Sequence, residues 1–209
     1  MMKEFCAENH VRIAQAIALG AGRIELCDNL AVGGTTPSYG VIRAVCDIAH
    51  EQGVSVMTMV RPRGGDFCYD ASEKKMMLED ARVAKELGSD GLVFGALTED
   101  NWLDEDFIVQ LLEETGDCES VFHMAFDMIP RKRQFEAIDW LVKQGVVRIL
   151  TRGGIHGAAD DNVVWLKELI AYADGRIEIL IGGGVTRENA EPLMKELGVT
   201  QVHGTRLFW

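Results

Sequence analysis

The chain alternates between two patterns. A short apolar run, a break at glycine, aspartate or asparagine, and an amphipathic stretch repeat along its 209 residues. The apolar runs fall at Met1–Cys6, Arg23–Cys27, Val54–Val60, Gly91–Phe94, Ser120–His123, Val146–Thr151, Arg176–Ile181 and Val199–His203. They are short and carry β-branched residues, so they read as buried strands. Between them, His10–Leu19, Ser38–Gln52, Asp70–Leu87, Asp104–Glu114, Arg131–Gln144, Asp161–Ala173 and Arg187–Leu197 read as helices, most of them stopped by a glycine. Ser38 is placed to cap the second helix. Strands separated by helices run parallel through right-handed crossovers. Eight of them predict an α/β fold closed into a (β/α)8 TIM barrel. A doubly wound open sheet would carry longer apolar strands and a GxGxxG after the first, and neither is present. No composition shift or linker divides the chain, so one TIM-barrel domain over residues 1–209 is expected. Only Gly204–Trp209 follow the last strand, so the eighth helix is expected to be missing or truncated. The apolar Leu207-Phe208-Trp209 beside an uncovered flank points to cover by another chain.

Charge narrows the partners. With 21 Lys+Arg against 33 Asp+Glu the net charge is −12, which disfavours nucleic acid and anionic lipid. No run approaches the length of a membrane span, and MMKEFCAENH has no signal-peptide core. Five widely spaced cysteines without a CxxC are expected as free thiols in a reducing compartment, the cytoplasm.

On so acidic a chain, the Arg-Pro-Arg-Gly-Gly-Asp that ends the third strand needs a reason. In a barrel of this class, sites lie at the C-terminal strand ends. Those ends here carry Glu25 and Cys27, Arg61 and Arg63, His123 and Asp127, Thr151 and Arg152, Gly182 to Gly184, and His203, Gly204 and Thr205. Alternation puts Arg23, Glu25 and Cys27 inside the barrel. A buried carboxylate needs a partner, and Arg61 on the next strand is a reasonable one, whether the pair is structural or functional. Gly183 and Gly184, with Gly204 and Thr205 of the following loop, form a candidate anion cup, or merely tight turns. Arg61 and Arg63 would clamp the anion. His123 is placed as a general acid/base, with Glu25 or Asp127 to orient it, or else as a loop histidine. Cys6, Cys27 and Cys68 follow the first three strands, and Met57 and Met59 share the facing of Arg61. Thiolates and thioethers would favour Cu(I), although the same residue types also fill cores.

Longer stretches carry a resemblance. RIELCDNLAVGGTTPS resembles the family pattern GADRIELC…GGLTPS, and MVRPRGGDFCY resembles MIRPRGGDF. FHMAFD is similar to FHRAFD, RILTRGG to RILTSGG, and GGGVTREN and VHGT to the last two motifs of the CutC copper-homeostasis family. The motifs run in order from residue 20 to 205. The resemblance implies a (β/α)8 barrel, a cytoplasmic homo-oligomer with a dimer favoured, and a role in copper tolerance or Cu(I) handling. It assigns no reaction. It carries over Glu25, Cys27, Arg61, Arg63, Asp66, His123, Asp127, Gly183 and His203. Met124 stands where the pattern has Arg, and Arg152 stands where it has a small residue, which would restore a cation nearby.

Two chemical readings remain open at this point, beside a bland one in which the barrel is only an interaction scaffold. One is a Cu(I)-handling protein with Cys27, Cys68 and Met59 as soft donors, copper(I) being its ligand. The other is an enzyme on a small anionic or phosphorylated metabolite, with Glu25, His123 and Asp127 as acid/base groups and Arg61, Arg63, Gly183, Gly184, Gly204 and Thr205 holding the anion.

Overall fold

A computed structural model describes all 209 residues. Its strands are β1 (Met2–Glu8), β2 (Arg23–Cys27), β3 (Ser55–Met59), β4 (Gly91–Phe94), β5 (Glu119–Phe122), β6 (Arg148–Thr151), β7 (Glu178–Ile181) and β8 (Gln201–Gly204). Its helices are α1 (Ile13–Ala18), α2 (Tyr39–His50), α3 (Ala71–Glu86), α4 (Glu105–Thr115), α5 (Arg131–Lys143), α6 (Val163–Ala173) and α7 (Ala190–Leu197). The strands follow one another in a closed parallel barrel, a (β/α)8 architecture with seven α-helices. β8 closes on β1 in the register Met2↔Gln201 to Phe5↔Gly204.

Strand alternation divides the interior in two. Outward residues such as Phe5, Ile24, Leu26, Val56, Phe94 and Ile149 join the helices in a 51-residue apolar core. Inward residues form a separate eight-residue core, Cys6, Cys27, Met57, Met59, Val93, Val121, Leu150 and Leu180. Inward polar residues, Glu4, Arg23, Glu25, Arg148 and His203, fill the rest of the lumen.

Local chemistry accounts for the helix ends. Ser38 caps α2 by accepting from the Val41 amide. Asp70 caps α3 in a reciprocal capping box with Glu73. Helix α1 is shorter than expected because Arg12 takes a left-handed φ of 62°. Helix α7 starts three residues later than expected, because Asn189 Oδ1 accepts from the Thr186 amide and holds residues 186–189 as a turn.

The expected exposed flank is not open. Leu207 and Phe208 are buried, and Phe208 and Trp209 meet Phe5 edge-on, with ring centroids 6.1 and 5.1 Å away. Arg12 lies over the Trp209 ring. Phe5 points outward from β1 because Glu4 and Cys6 point inward. The tail therefore covers the β1 side of the barrel itself, and this flank gives no reason for a second chain to do so.

Candidate functional site

The ladder between β1 and β2 sets Cys6 opposite Glu25, and that between β1 and β8 sets Glu4 opposite His203. All four point into the lumen. His203 Nδ1 is 2.8 Å from Glu4 Oε1, and its Nε2 is 3.6 Å from Glu25 Oε2. The Cys6 and Cys27 thiols donate to the same Glu25 oxygen at 3.2 and 3.5 Å. Glu4 also pairs with Arg23. Glu25 Oε1 is buried and has no partner.

Burial and mutual charge set the protonation of this cluster. Burial disfavours the Glu4 carboxylate, but the His203 bond and Arg23 outweigh it and hold Glu4 at about 2. Burial likewise opposes a charged His203, and the carboxylates of Glu25 and Glu4 outweigh it, raising the imidazole well above its usual value. Glu25 is pushed up by burial, against the pull of His203 and with the help of Glu4. The adjacent Cys27 sulfur, burial and Glu25 push the Cys6 thiol up. For Cys27, the Cys6 thiol pulls downward, but burial and Glu25 prevail and place it at about 11.

Above this floor opens a cavity of about 440 Å³, within the range of small-molecule sites. Cys6, Glu25 and His203 reach its base, Met59, Met124 and Leu150 its walls, and Gly183, Gly184, Gly204, Thr205 and Arg206 its rim. A Cβ on Gly183 would lie 2.8 Å from Arg152 Cβ, and one on Gly184 2.5 Å from Ala158 Cβ. Packing thus demands both glycines, whatever else their amides do.

Arg61 lines the cavity, but it is not the partner of Glu25. Its guanidinium donates to the carbonyls of Val32, Gly34 and Gly65 at 3.0, 3.0 and 2.8 Å and lies over the Phe67 ring. Three backbone acceptors occupy its two terminal nitrogens and tie the loops after β2 and β3 together. Its Nε has no partner. Arg63 is not in the cavity: Glu73, Asp66 and the Cys68 carbonyl engage it on the outside of the same loop. Cys68 sits on that outer loop, half-buried and apart from Cys27.

His123 also lines the cavity. Its Nδ1 accepts from the Ala125 amide at 3.2 Å, and its buried Nε2 has no partner. A Cβ on Gly95 would lie 2.6 Å from the ring, so the end of β4 must be glycine for the imidazole to fit. Burial, then the Arg61 charge, lower His123 to about 3. The neutral ring is thus favoured at physiological pH, which agrees with Nδ1 accepting from the Ala125 amide. Asp127 does not orient it. The Asp127 carboxylate accepts from the Thr151 hydroxyl and from the Arg152 amide at 3.1 Å, which braces the loop after β6. Arg152 Nη2 lies 3.6 Å from Met124 Sδ, so the two positions that depart from the sequence motifs touch each other.

Two groupings have metal-ligand spacing, with all donor atoms within 4.8 Å of one another: Cys6, Glu25 and Cys27, and Glu4, Glu25 and His203. Of the soft donors expected from sequence, Cys27 is in this cluster, Met59 is on the cavity wall and Cys68 is elsewhere. Cys6 belongs where Cys68 was expected. Glu4 has no counterpart in the sequence reading; the only hint was its shared parity with Cys6 in MKEFCAE.

Comparison with known proteins agrees with this barrel. The CutC family model matches residues 1–207. A CutC family protein of Enterococcus faecalis is 56% identical over 208 residues, 99% of this chain and all of its own. A mouse copper homeostasis protein cutC homolog is 40% identical over 202 residues, 97% of this chain and 72% of its own. A solved CutC structure from Streptococcus agalactiae superposes with a TM-score of 0.96 at 49% identity, covering 99% of both chains. A deoxyribose phosphate aldolase from Aeropyrum pernix superposes with a TM-score of 0.71 at 11% identity over 99% of this chain and 85% of its own, a likeness of fold alone. From its full-length match and its high identity to these relatives, the chain belongs to the CutC family.

Proposed function

We propose that this protein binds and hands on Cu(I) in the cytoplasm as part of copper homeostasis, with Cys6 and Cys27 as the primary ligands. One observation carries the reading: thiols from adjacent strands lie within 4.8 Å of each other at the base of an open cavity. Paired thiolates select soft, monovalent copper over hard cations. The cavity wall adds two thioethers, Met59 and Met124, along the route from solvent to Cys6. Cys6 reaches the cavity, whereas Cys27 is fully buried behind it. The ion therefore meets Cys6 first and displaces the thiol protons as it binds. The relatives named for copper homeostasis support copper as the cargo. All five cysteines are free, which suits a reducing compartment.

X-ray absorption on the anaerobically loaded protein tests the ligand set. The expected spectrum shows two sulfur neighbours per Cu(I), falling to one in Cys6→Ser. A spectrum of nitrogen and oxygen neighbours alone would refute the thiol assignment.

A further inference from the structure

The rim of the cavity holds groups that copper binding does not use. In this acidic chain the cavity lining carries three arginines, Arg61, Arg152 and Arg206, against one carboxylate, Glu25. Arg61 is spent on backbone carbonyls, but Arg206 is exposed and free of any ion pair, and Arg152 has only a long contact of 3.9 Å to Asp127. Arg152 also lies over the glycine loop: its Nε is 3.3 Å from where a Cβ on Gly183 would sit.

Backbone geometry aims donors at the same place. The Gly183 carbonyl accepts from the Ala159 amide at 2.9 Å, and the Gly184 carbonyl accepts from Asn189 Nδ2 at 3.1 Å, and neither partner lines the cavity. No peptide bond is cis, so each following N–H points the opposite way from its carbonyl. The amides of Gly184 and Val185 therefore turn toward the cavity that both residues line, and neither has an acceptor in the protein. The Thr205 amide across the rim also lacks a protein acceptor, whereas the Arg206 amide faces the Val185 carbonyl in the bridge between Thr186 and Arg206. The Arg187 amide bonds the Arg206 carbonyl at 2.8 Å, which locks the loops after β7 and β8 into one rigid edge. Two residues that line the cavity each carry a buried polar atom without a partner, Nε2 of His123 and Oε1 of Glu25. Buried polar groups are normally satisfied, and these two belong to residues less than a tenth exposed that line a cavity of small-molecule size.

We infer that the cavity binds a small organic phosphate, its phosphoryl group on the Gly184 and Val185 amides between Arg152 and Arg206, and its hydroxyl- or carbonyl-bearing body hydrogen-bonded to His123. Amides fixed in a rigid loop and two guanidinium groups suit a dianion. The neutral His123 ring offers one hydrogen bond to an uncharged polar body. The site lies above the thiols and needs neither of them.

Calorimetry on the reduced, metal-free protein tests this with inorganic phosphate and ribose 5-phosphate as probes. Both are expected to bind, ribose 5-phosphate the more tightly. Arg206→Gln is expected to weaken both by about tenfold with little change in melting temperature, because the side chain makes no hydrogen bond or ion pair within the protein. His123→Asn is expected to weaken ribose 5-phosphate and leave inorganic phosphate unaffected. The double variant Cys6→Ser, Cys27→Ser is expected to keep phosphate binding, which separates this site from the copper ligands. Absence of phosphate binding, ribose 5-phosphate no tighter than phosphate, or unchanged affinity in Arg206→Gln would each overturn the inference.

Discussion

Phe208 is the residue through which residues 205–209 stand in for a barrel helix, and its removal gives a measurable cost. The ring is 7% exposed and meets Phe5, itself 4% exposed, at 83° between ring planes. Truncating a buried phenylalanine costs about 3–5 kcal/mol, and a site at the edge of the core belongs at the low end of that range. A loss of about 3 kcal/mol in a chain of this size lowers the melting temperature by roughly 6–12 °C. The Phe5–Phe208 edge contact contributes about 1 kcal/mol beyond area burial, so Phe208→Ala and Phe5→Leu together should cost less than the sum of the two. Calorimetry or circular dichroism melts of the two single variants and the double variant read both quantities. A shift below about 2 °C for Phe208→Ala would mean that the tail does not seal the β1 flank, and the account of how this barrel is covered would fail.

Three further outcomes follow from the site. His123 is held neutral at about 3, so as pH falls from 6.5 the unfolded chain takes a proton that the folded chain refuses, and stability is lost. His123→Asn, which can still accept from the Ala125 amide, should remove that component and lose about 2 kcal/mol less than the parent between pH 6.5 and 5 in urea melts; equal losses would show that His123 is not buried as a neutral ring. Arg61→Met leaves three loop carbonyls without their donor and should destabilise by about 2–4 kcal/mol in the same assay, with less than 1 kcal/mol contradicting its structural role. Arg63→Ala removes a partly exposed ion pair and should change stability by less than about 1 kcal/mol, and phosphate affinity not at all; a large loss of phosphate affinity would return Arg63 to the site.

The eightfold alternation made the barrel legible, because parallel strands with helical crossovers have few ways to bury both faces. Parity made the inward facing of Glu25 and Cys27 legible within one strand. What joined those residues to Glu4, Cys6 and His203 was not legible. The ladder register between β1 and β2, and the closure of β8 on β1, depend on how all strands stagger around the barrel. His203 and Glu4 are 199 residues apart, and only closure brings them together. Arg61 misled for a related reason. Its proximity to Glu25 along the sheet was readable, but three carbonyls from two loops compete for the guanidinium, and backbone acceptors have no sequence signature. Arg63 and Cys68 lie just beyond the strand end, where parity no longer says which way a side chain points. The tail carried the right apolar content, and it was the outward parity of Phe5 that gave it a surface within its own chain.

Cys6 and Cys27 are proposed to hold Cu(I) together at the base of the cavity. An anaerobic competition titration against the chromophoric chelator bathocuproine disulfonate measures it directly on the reduced protein and its single Cys→Ser variants. One Cu(I) per chain is expected, with affinity weakened in Cys6→Ser and in Cys27→Ser by more than the about 10–100-fold that losing a group behind a ligand costs, and unchanged in Cys68→Ser. Parent-like affinity in Cys6→Ser or Cys27→Ser, or loss of binding in Cys68→Ser, would contradict it.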